Sequence, residues 1–336
     1  MSSRAKQPAK KNRAAALWHA LVIILVGLAA WYFIDFGEVA KSIASITPAW
    51  LAVILLLATI DRFLMAGKWL HLLRHVRNPA RFPAVLSAYY QSAFVQRFLP
   101  SSLGGDALRA LIISSRYGAG SGVLATMVVE KLIAMFTATF LAICGGLMVL
   151  SRAHDDSIEI LLVSIPLLMM VMLVVLRLTL HRPLVLGIIN RLPWIRAREG
   201  LIAIYDHYSG FRHAPQVLVA NFIYSLIEQI LQIVLLLCCA LALNVAADIF
   251  TIIAAVAVAQ CLRKLAIILE GWLFGEFTAV LVYSLLGIPE AQALAFSLLG
   301  HAAHIVASLP GAVLFARSSI RLSDIRNQFS REKNTS

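Results

Sequence analysis

The chain of 336 residues is 60% hydrophobic and 14% charged with a mean hydropathy of +0.84, against roughly 45–50% apolar and ~25% charged for a soluble domain. These values exclude the soluble, disordered, fibrous and disulfide-scaffold classes, and at ~20 residues per spanning helix they leave no room for a soluble catalytic domain. The balance of 29 Lys+Arg against 17 Asp+Glu, net +12, fits membrane topology better than nucleic-acid binding, because most of these charges flank apolar runs.

Arg4, Lys6, Lys10, Lys11 and Arg13 precede a first apolar run at 17–34, which Asp35 and Glu38 follow, so the basic tail 1–16 is expected in the cytoplasm. The run is long for a signal peptide, and no small-x-small cleavage site follows it cleanly. A second run, 50–70, returns the chain to a positive loop carrying Lys68, Arg74, Arg77 and Arg81. The segment 84–99 holds Tyr89, Tyr90, Gln91, Gln96 and Arg97 and is stopped by Pro100, too short and polar for a comfortable span, so it is expected to be re-entrant. Residues 103–117 then predict a short amphipathic helix opened by Gly104 and Gly105, with Asp106 as a candidate N-cap.

Spans are expected at 121–150 and 158–178, joined on the outside by the least basic loop, with Asp155 and Asp156. Arg177, Arg182, Arg191, Arg196, Arg198 and Arg212 populate the longest hydrophilic connection, which is expected to be cytoplasmic. A hairpin of spans at 216–243 and 249–269 turns at 244–248, and two further apolar segments, 272–286 and 291–315, are joined at 287–289. Arg317, Arg321, Arg326, Arg331 and Lys333 make the tail 317–336 basic and cytoplasmic. The expected fold is all-α, a polytopic membrane helix bundle of about eight spanning helices plus one or two re-entrant segments, forming a single domain over 17–316 with both termini inside.

Charged groups at membrane depth are costly, and each is a functional-site candidate by default. Asp61 and Arg62 lie in the second span, and Glu130 and Lys131 in the span at 121–150, pointing about 100° apart so that each needs its own partner. Asn221, Tyr224, Ser225, Glu228 and Gln232 share one helix face, where Glu228 is either an interhelical clamp or the lining of a polar cavity. Arg263 and Lys264 are either interfacial anchors or partners for Glu270 and Glu276, the second being preferred. His301 and His304 sit one turn apart without a third metal ligand, and Cys144, Cys238, Cys239 and Cys261 lie singly or adjacent in apolar runs, so neither a metal nor a cofactor is expected. No nucleophile elbow, Walker loop, metalloprotease helix or dinucleotide fingerprint is present, and catalysis is not expected.

The most informative stretch runs from Arg97 through Pro100, Gly104, Gly105 and Asp106 to Arg109. Pro100 ends one helix, the glycines permit close backbone approach, and a new helix N-terminus offers free amides to an anionic headgroup. Asp106 competes for those amides, which makes Arg97 and Arg109 the better phosphate candidates, with Asp106 orienting Arg109. A capped interfacial helix without a ligand is the plain alternative.

The residues 98–109, Phe-Leu-Pro-Ser-Ser-Leu-Gly-Gly-Asp-Ala-Leu-Arg, followed by Glu130-Lys131 and by Glu276 with the Leu-Gly-Ile-Pro run ending at Pro289, resemble the lysylphosphatidylglycerol synthase transmembrane, or flippase-like, family. Ser101 and Ser102 stand where that family has glycines, Lys131 replaces an arginine, and of the second family motif only Gly271 and Glu276 are in place. The likeness covers roughly residues 17–316. It implies a membrane module that handles lipid: an aminoacylated phospholipid in full synthases, or an envelope, hopanoid or polyprenyl-linked lipid where the module stands alone, as expected here because only about twenty residues follow Phe315. The expected substrate site comprises Arg97, Pro100, Gly104, Gly105, Asp106, Arg109, Glu130, Lys131, Glu228, Arg263 and Glu276, and the expected partner is a membrane phospholipid or lipid-linked substrate, with envelope-lipid biosynthesis proteins as further candidates. A non-catalytic scaffold and an enzyme acting on lipid-linked sugar or phosphate are the alternatives.

Overall fold

The structure, a computed structural model, describes residues 46–96, 102–150, 156–179, 181–191, 195–269 and 272–318. The first expected span at 17–34, the basic tail 1–16, Arg97, Pro100, Asp155, Glu270, Gly271 and the tail beyond Ser318 lie outside the described residues.

Every regular element among the described residues is helical. Proline at the first position, where a missing N–H costs nothing, opens α1 (Pro48–His75), and a short return helix, α2 (Phe82–Gln96), follows it. Next come α3 (Ser102–Tyr117), the long α4 (Gly120–Leu150) and α5 (Asp156–Thr179). The long hydrophilic connection contains α6 (Arg182–Asn190), α7 (Ile195–Gly210) and a 3-10 turn at Phe211–His213. The last third contains α8 (Pro215–Ala242), α9 (Ile249–Leu269), α10 (Trp272–Leu285), α11 (Glu290–Ser308) and α12 (Pro310–Ala316).

Among the described residues four helical stretches are long and apolar enough to cross a membrane: Pro48–His75, Gly120–Met148, Pro215–Ala242 and Glu290–Ala316. Ile165–Thr179 and Arg182–Asn190, bent by 76° against each other, make a fifth if they are taken as one broken span. The described residues thus supply four or five crossings of the roughly eight expected.

Two expectations change. Helix α1 continues to His75, so Lys68 and Arg74 are helical residues and not part of a loop. Helix α3 starts at Ser102, which puts Asp106 in its second turn; the carboxylate faces Arg109 and Lys131 instead of capping the helix.

The helices carry polarity inward. On α8 the exposed stripe is Val219, Ile223, Ile227, Ile230 and Val234, while Asn221, Ser225, Glu228 and Gln229 are buried. A helix dry outside and polar inside is suited to hydrocarbon surroundings, where the lipid takes the apolar side chains and the polar ones must find protein partners. Small residues set the spacing within the bundle: a Cβ on Gly145 of α4 would meet Ala254 Cα of α9 at 3.1 Å, so these helices touch almost backbone to backbone. The turns that reverse the chain follow helix-end chemistry, for Gly287 adopts φ 82° and donates to Ser284 O at 3.0 Å while Ile288 N–H reaches Tyr283 O at 3.0 Å, closing α10.

Three apolar clusters result. The largest joins Ile54 and Ala58 of α1 to α4, α8, α9, α10 and α11; a second gathers Trp69 and Leu73 with α2, α3 and the start of α4; a third packs Leu72 against Val129, Tyr205, Tyr208 and Phe211. The polar centre lies at the seam between them. Helix α12 braces α2, with Gly311 so close that a Cβ there would lie 2.0 Å from Tyr90 O. Gly311→Ala is therefore expected to force the two segments apart and destabilise the fold by about 1–3 kcal/mol, whereas Gly187→Ala, with nothing within 4 Å, should be neutral or slightly stabilising; thermal unfolding in detergent distinguishes them.

Candidate functional site: a buried ion-pair network

Lys68 comes from the last third of α1 and is 1% exposed. An ammonium at that burial is tolerable only when paired and hydrogen-bonded. Its Nζ donates to Glu228 Oε2 from α8 and lies 3.7 Å from Glu130 Oε1 on α4. Asn221, two turns before Glu228, donates from Nδ2 to the Lys68 carbonyl at 3.4 Å, so α8 holds both the charge and the backbone of that residue.

Glu130 links this pair to α3 and α2. Its Oε1 accepts from the Tyr89 hydroxyl at 2.8 Å, and its Oε2 stands 3.0 Å from Arg109 Nη2. Arg109 also reaches Asp106 Oδ1 through Nε at 3.1 Å and donates to the Tyr89 hydroxyl. Its guanidinium carbon sits 4.8 Å from the Trp69 ring centroid and 4.6 Å from that of Tyr89. A planar cation set against two rings and forked onto carboxylates is a role lysine could not fill. Trp69 is in turn fixed by its indole N–H on Thr126 Oγ1 at 3.0 Å.

At the outer flank Asp106 Oδ2 meets Lys131 Nζ at 2.6 Å, and Lys131 remains 52% exposed. On the other flank Lys264 of α9 approaches Glu228 Oε1 at 4.0 Å and is 27% exposed. The connected set holds the cations Lys68, Arg109, Lys131 and Lys264 against the carboxylates Asp106, Glu130 and Glu228, a surplus of one positive charge. The excess is carried by the two lysines at the open edges.

A second polar group lies between α9, α10 and α11. Arg263 Nη1 is 3.5 Å from Glu276 Oε1, Ser297 donates to Glu276 Oε2, and His301 Nδ1 is 3.8 Å from the same carboxylate. A third ties α1 to α8 and α11, with Arg62 on Asp61 at 2.8 Å and on His304 Nδ1 at 3.0 Å, and His304 Nε2 against Gln232 Oε1 at 3.0 Å.

Of the residues expected at the site, the structure brings Asp106, Arg109, Glu130, Lys131 and Glu228 into one network and sets Arg263 with Glu276 in another. Glu130 and Lys131 take different partners, as their angular separation requires. Lys264 turns to Glu228, and Gly105 lies against Gln96, where a Cβ would come within 2.8 Å of Gln96 Cβ. Gly104 lies in the first turn of α3, while Arg97 and Pro100 are outside the described residues.

Sequence reasoning missed Lys68 and Tyr89 as site residues. Asp61 and Lys68, seven positions apart, fall on one face of α1, and a charge recurring at that interval within an apolar helix was the available signal. Tyr89 carried no signal beyond its polarity in a short helix.

A helical chain with several candidate spans and ionised groups enclosed between them is a multi-pass membrane protein. It belongs to the family described as the Lysylphosphatidylglycerol synthase TM region, which matches residues 17–311. It is also similar to a UPF0104 membrane protein of Methanothermobacter thermautotrophicus, 29% identical over 94 residues. That alignment covers 28% of this chain and 26% of the relative, so it spans about a quarter of each.

Removing one partner of a buried pair strands the other charge, at a cost of about 3–5 kcal/mol. Lys68→Met alone is expected to lose that much, while Lys68→Met/Glu228→Leu should recover most of it, since Glu130 keeps Arg109 and Tyr89. Chemical or thermal unfolding of the purified variants in detergent checks this, and equal losses in the single and double variants would refute the pairing.

Proposed function

We propose that the protein is an integral membrane lipid flippase or lipid-binding transporter that takes an anionic or polyprenyl- or hopanoid-type envelope lipid. The observation that carries this reading is the charge surplus of the network, displayed on Lys131 and Lys264 while Arg109 and Lys68 are committed to carboxylates. A phosphate-bearing headgroup presented at these edges gains charge-assisted hydrogen bonds without stripping partners from the buried pairs. Arg109 and Asp106 then act as the frame that holds Lys131 in place, and Arg97, three residues before Pro100, adds a further cation on the same stretch of sequence.

The reading includes a chain of about eight crossings in the bacterial inner membrane with both termini in the cytoplasm, as the basic tails favour. It is non-catalytic: every carboxylate of the network is committed to a cation, which leaves none free to act as general acid or base. A scaffold role would be favoured by an exposed small-residue face, but Gly145, Gly146 and Ala254 to Ala259 are buried within the bundle.

The test is reconstitution into vesicles containing a head-labelled anionic phospholipid, with accessibility of the label to an impermeant quencher followed over time. Each lysine–phosphate contact contributes about 1.5–3 kcal/mol, so Lys131→Ala/Lys264→Gln is expected to slow exchange by about tenfold or more without loss of thermal stability. Exchange at the wild-type rate in that variant would overturn the site, and exchange no faster than in protein-free vesicles would overturn the transporter reading for that lipid class.

A further inference from the structure

The network leaves unused an apolar cleft of about 380 Å³ between α4, α5, α7 and α8. Val129, Ile133 and Phe136 recur at helical spacing on the α4 wall, one helix face away from Glu130, and Leu218 and Phe222 stand one turn apart on the α8 wall. Leu173 of α5 and Val219 of α8 belong both to this lining and to the exposed apolar belt, so the cleft opens sideways into the surface that faces hydrocarbon. The size suits a single slender apolar ligand.

One end is different. Tyr208 and Phe211 close it with their rings, the Tyr208 hydroxyl being engaged by Thr179 Oγ1 at 3.0 Å. Beside them Arg212 lines the same end and is solvent-exposed. Its Nε donates to His213 Nε2 at 2.9 Å, and no described carboxylate forms an ion pair with its terminal nitrogens. Arg212 sits three residues before α8 begins, on the side of the chain where Arg177, Arg182 and Arg191 also lie, the side that the charge rule assigns to the cytoplasm. Hydrocarbon walls that run inward from an exposed guanidinium in the lining match the polarity of one lipid: a tail within the membrane and a phosphate at its rim.

We propose that this cleft is a resident lipid site, seating one acyl chain of an anionic phospholipid of the cytoplasmic leaflet with its phosphate on Arg212. The site is separate from Lys131 and Lys264 and does not rest on the transport reading. Charge complementarity at one end and continuity with the lipid-facing belt at the other select a phospholipid over a water-borne apolar molecule, which would have to cross the Arg212 rim.

The test uses the full chain in lipid nanodiscs doped with phosphatidic acid, or phosphatidylcholine as the comparison, carrying a photoreactive diazirine near the tail end. Crosslinks located by mass spectrometry are expected on Ile133, Phe136 and Phe222, with phosphatidic acid exceeding phosphatidylcholine by about fivefold, the preference given by one basic side chain at an anionic surface. Arg212→Glu should abolish that preference, and Ile133→Trp, which fills the cleft, should remove the crosslinks for both lipids; a second filling variant, Leu218→Trp, covers the case in which Ile133→Trp does not fold. Crosslinks spread evenly over the apolar belt, or a preference that survives Arg212→Glu, would overturn the proposal. Because label exchange in Lys131→Ala/Lys264→Gln reads the other site, either proposal can fail alone.

Discussion

A lysine with no exit to water governs this structure. The Lys68 side chain is enclosed by neighbouring helices, so its charge has to be met from them, and Glu228 and Glu130 do so from α8 and α4. Desolvation of such groups cancels much of the Coulombic attraction, and the net contribution of the pair to stability is small compared with the loss when one member is missing. The pair therefore acts as a constraint on arrangement: α1, α4 and α8 can pack in one register only if the three side chains meet. Arg109, clasped by Glu130, Asp106 and two aromatic rings, extends the same constraint to α2 and α3.

Packing around the network follows from the absence of a hydrophobic driving force between helices in lipid. Close backbone approach and interhelical hydrogen bonds take its place. Gly145 against Ala254 and Gly311 against Tyr90 supply the first, and Asn221 on the Lys68 carbonyl and His304 between Arg62 and Gln232 supply the second. The three apolar clusters then flank the charged seam, so that the buried charges are held in a low-dielectric setting where their geometry has little freedom to relax. Only Lys131 and Lys264 at its margins are left with side chains partly open, and that difference in commitment is what turns a structural network into a candidate binding surface.

Much of this was legible along the chain. The helices at 120–150, 215–242 and 249–269 begin and end within a residue or two of the expected apolar runs, because a run of ~20 apolar residues has few other stable forms in a membrane. The polar face of α8 was visible from spacing alone, since a 3.6-residue period is a local property. The site was legible in its residue types, with Asp106, Arg109, Glu130 and Glu228 each marked by charge in an apolar setting. The role of Lys68 was hidden by its position, for a lysine near the predicted end of a span fits the positive-inside pattern equally well, and only the continuation of α1 to His75 moves it into the interior. The connection after α5 was legible as hydrophilic from its arginines, but the helices α6 and α7 that it holds were not.

The amino-acid sequence by itself determined that this is a helical, multi-pass membrane protein whose buried charges must find partners, because hydropathy, period and charge asymmetry are summed over neighbouring residues. Which charges are partners was decided by tertiary structure alone. Lys68 and Glu228 are 160 positions apart and Arg109 and Glu130 are 21, and no local rule connects such pairs. Their meeting depends on how closely the helices approach and how each is rotated about its axis, and those quantities come from the fit of Gly145, Gly311 and the other small residues between helices.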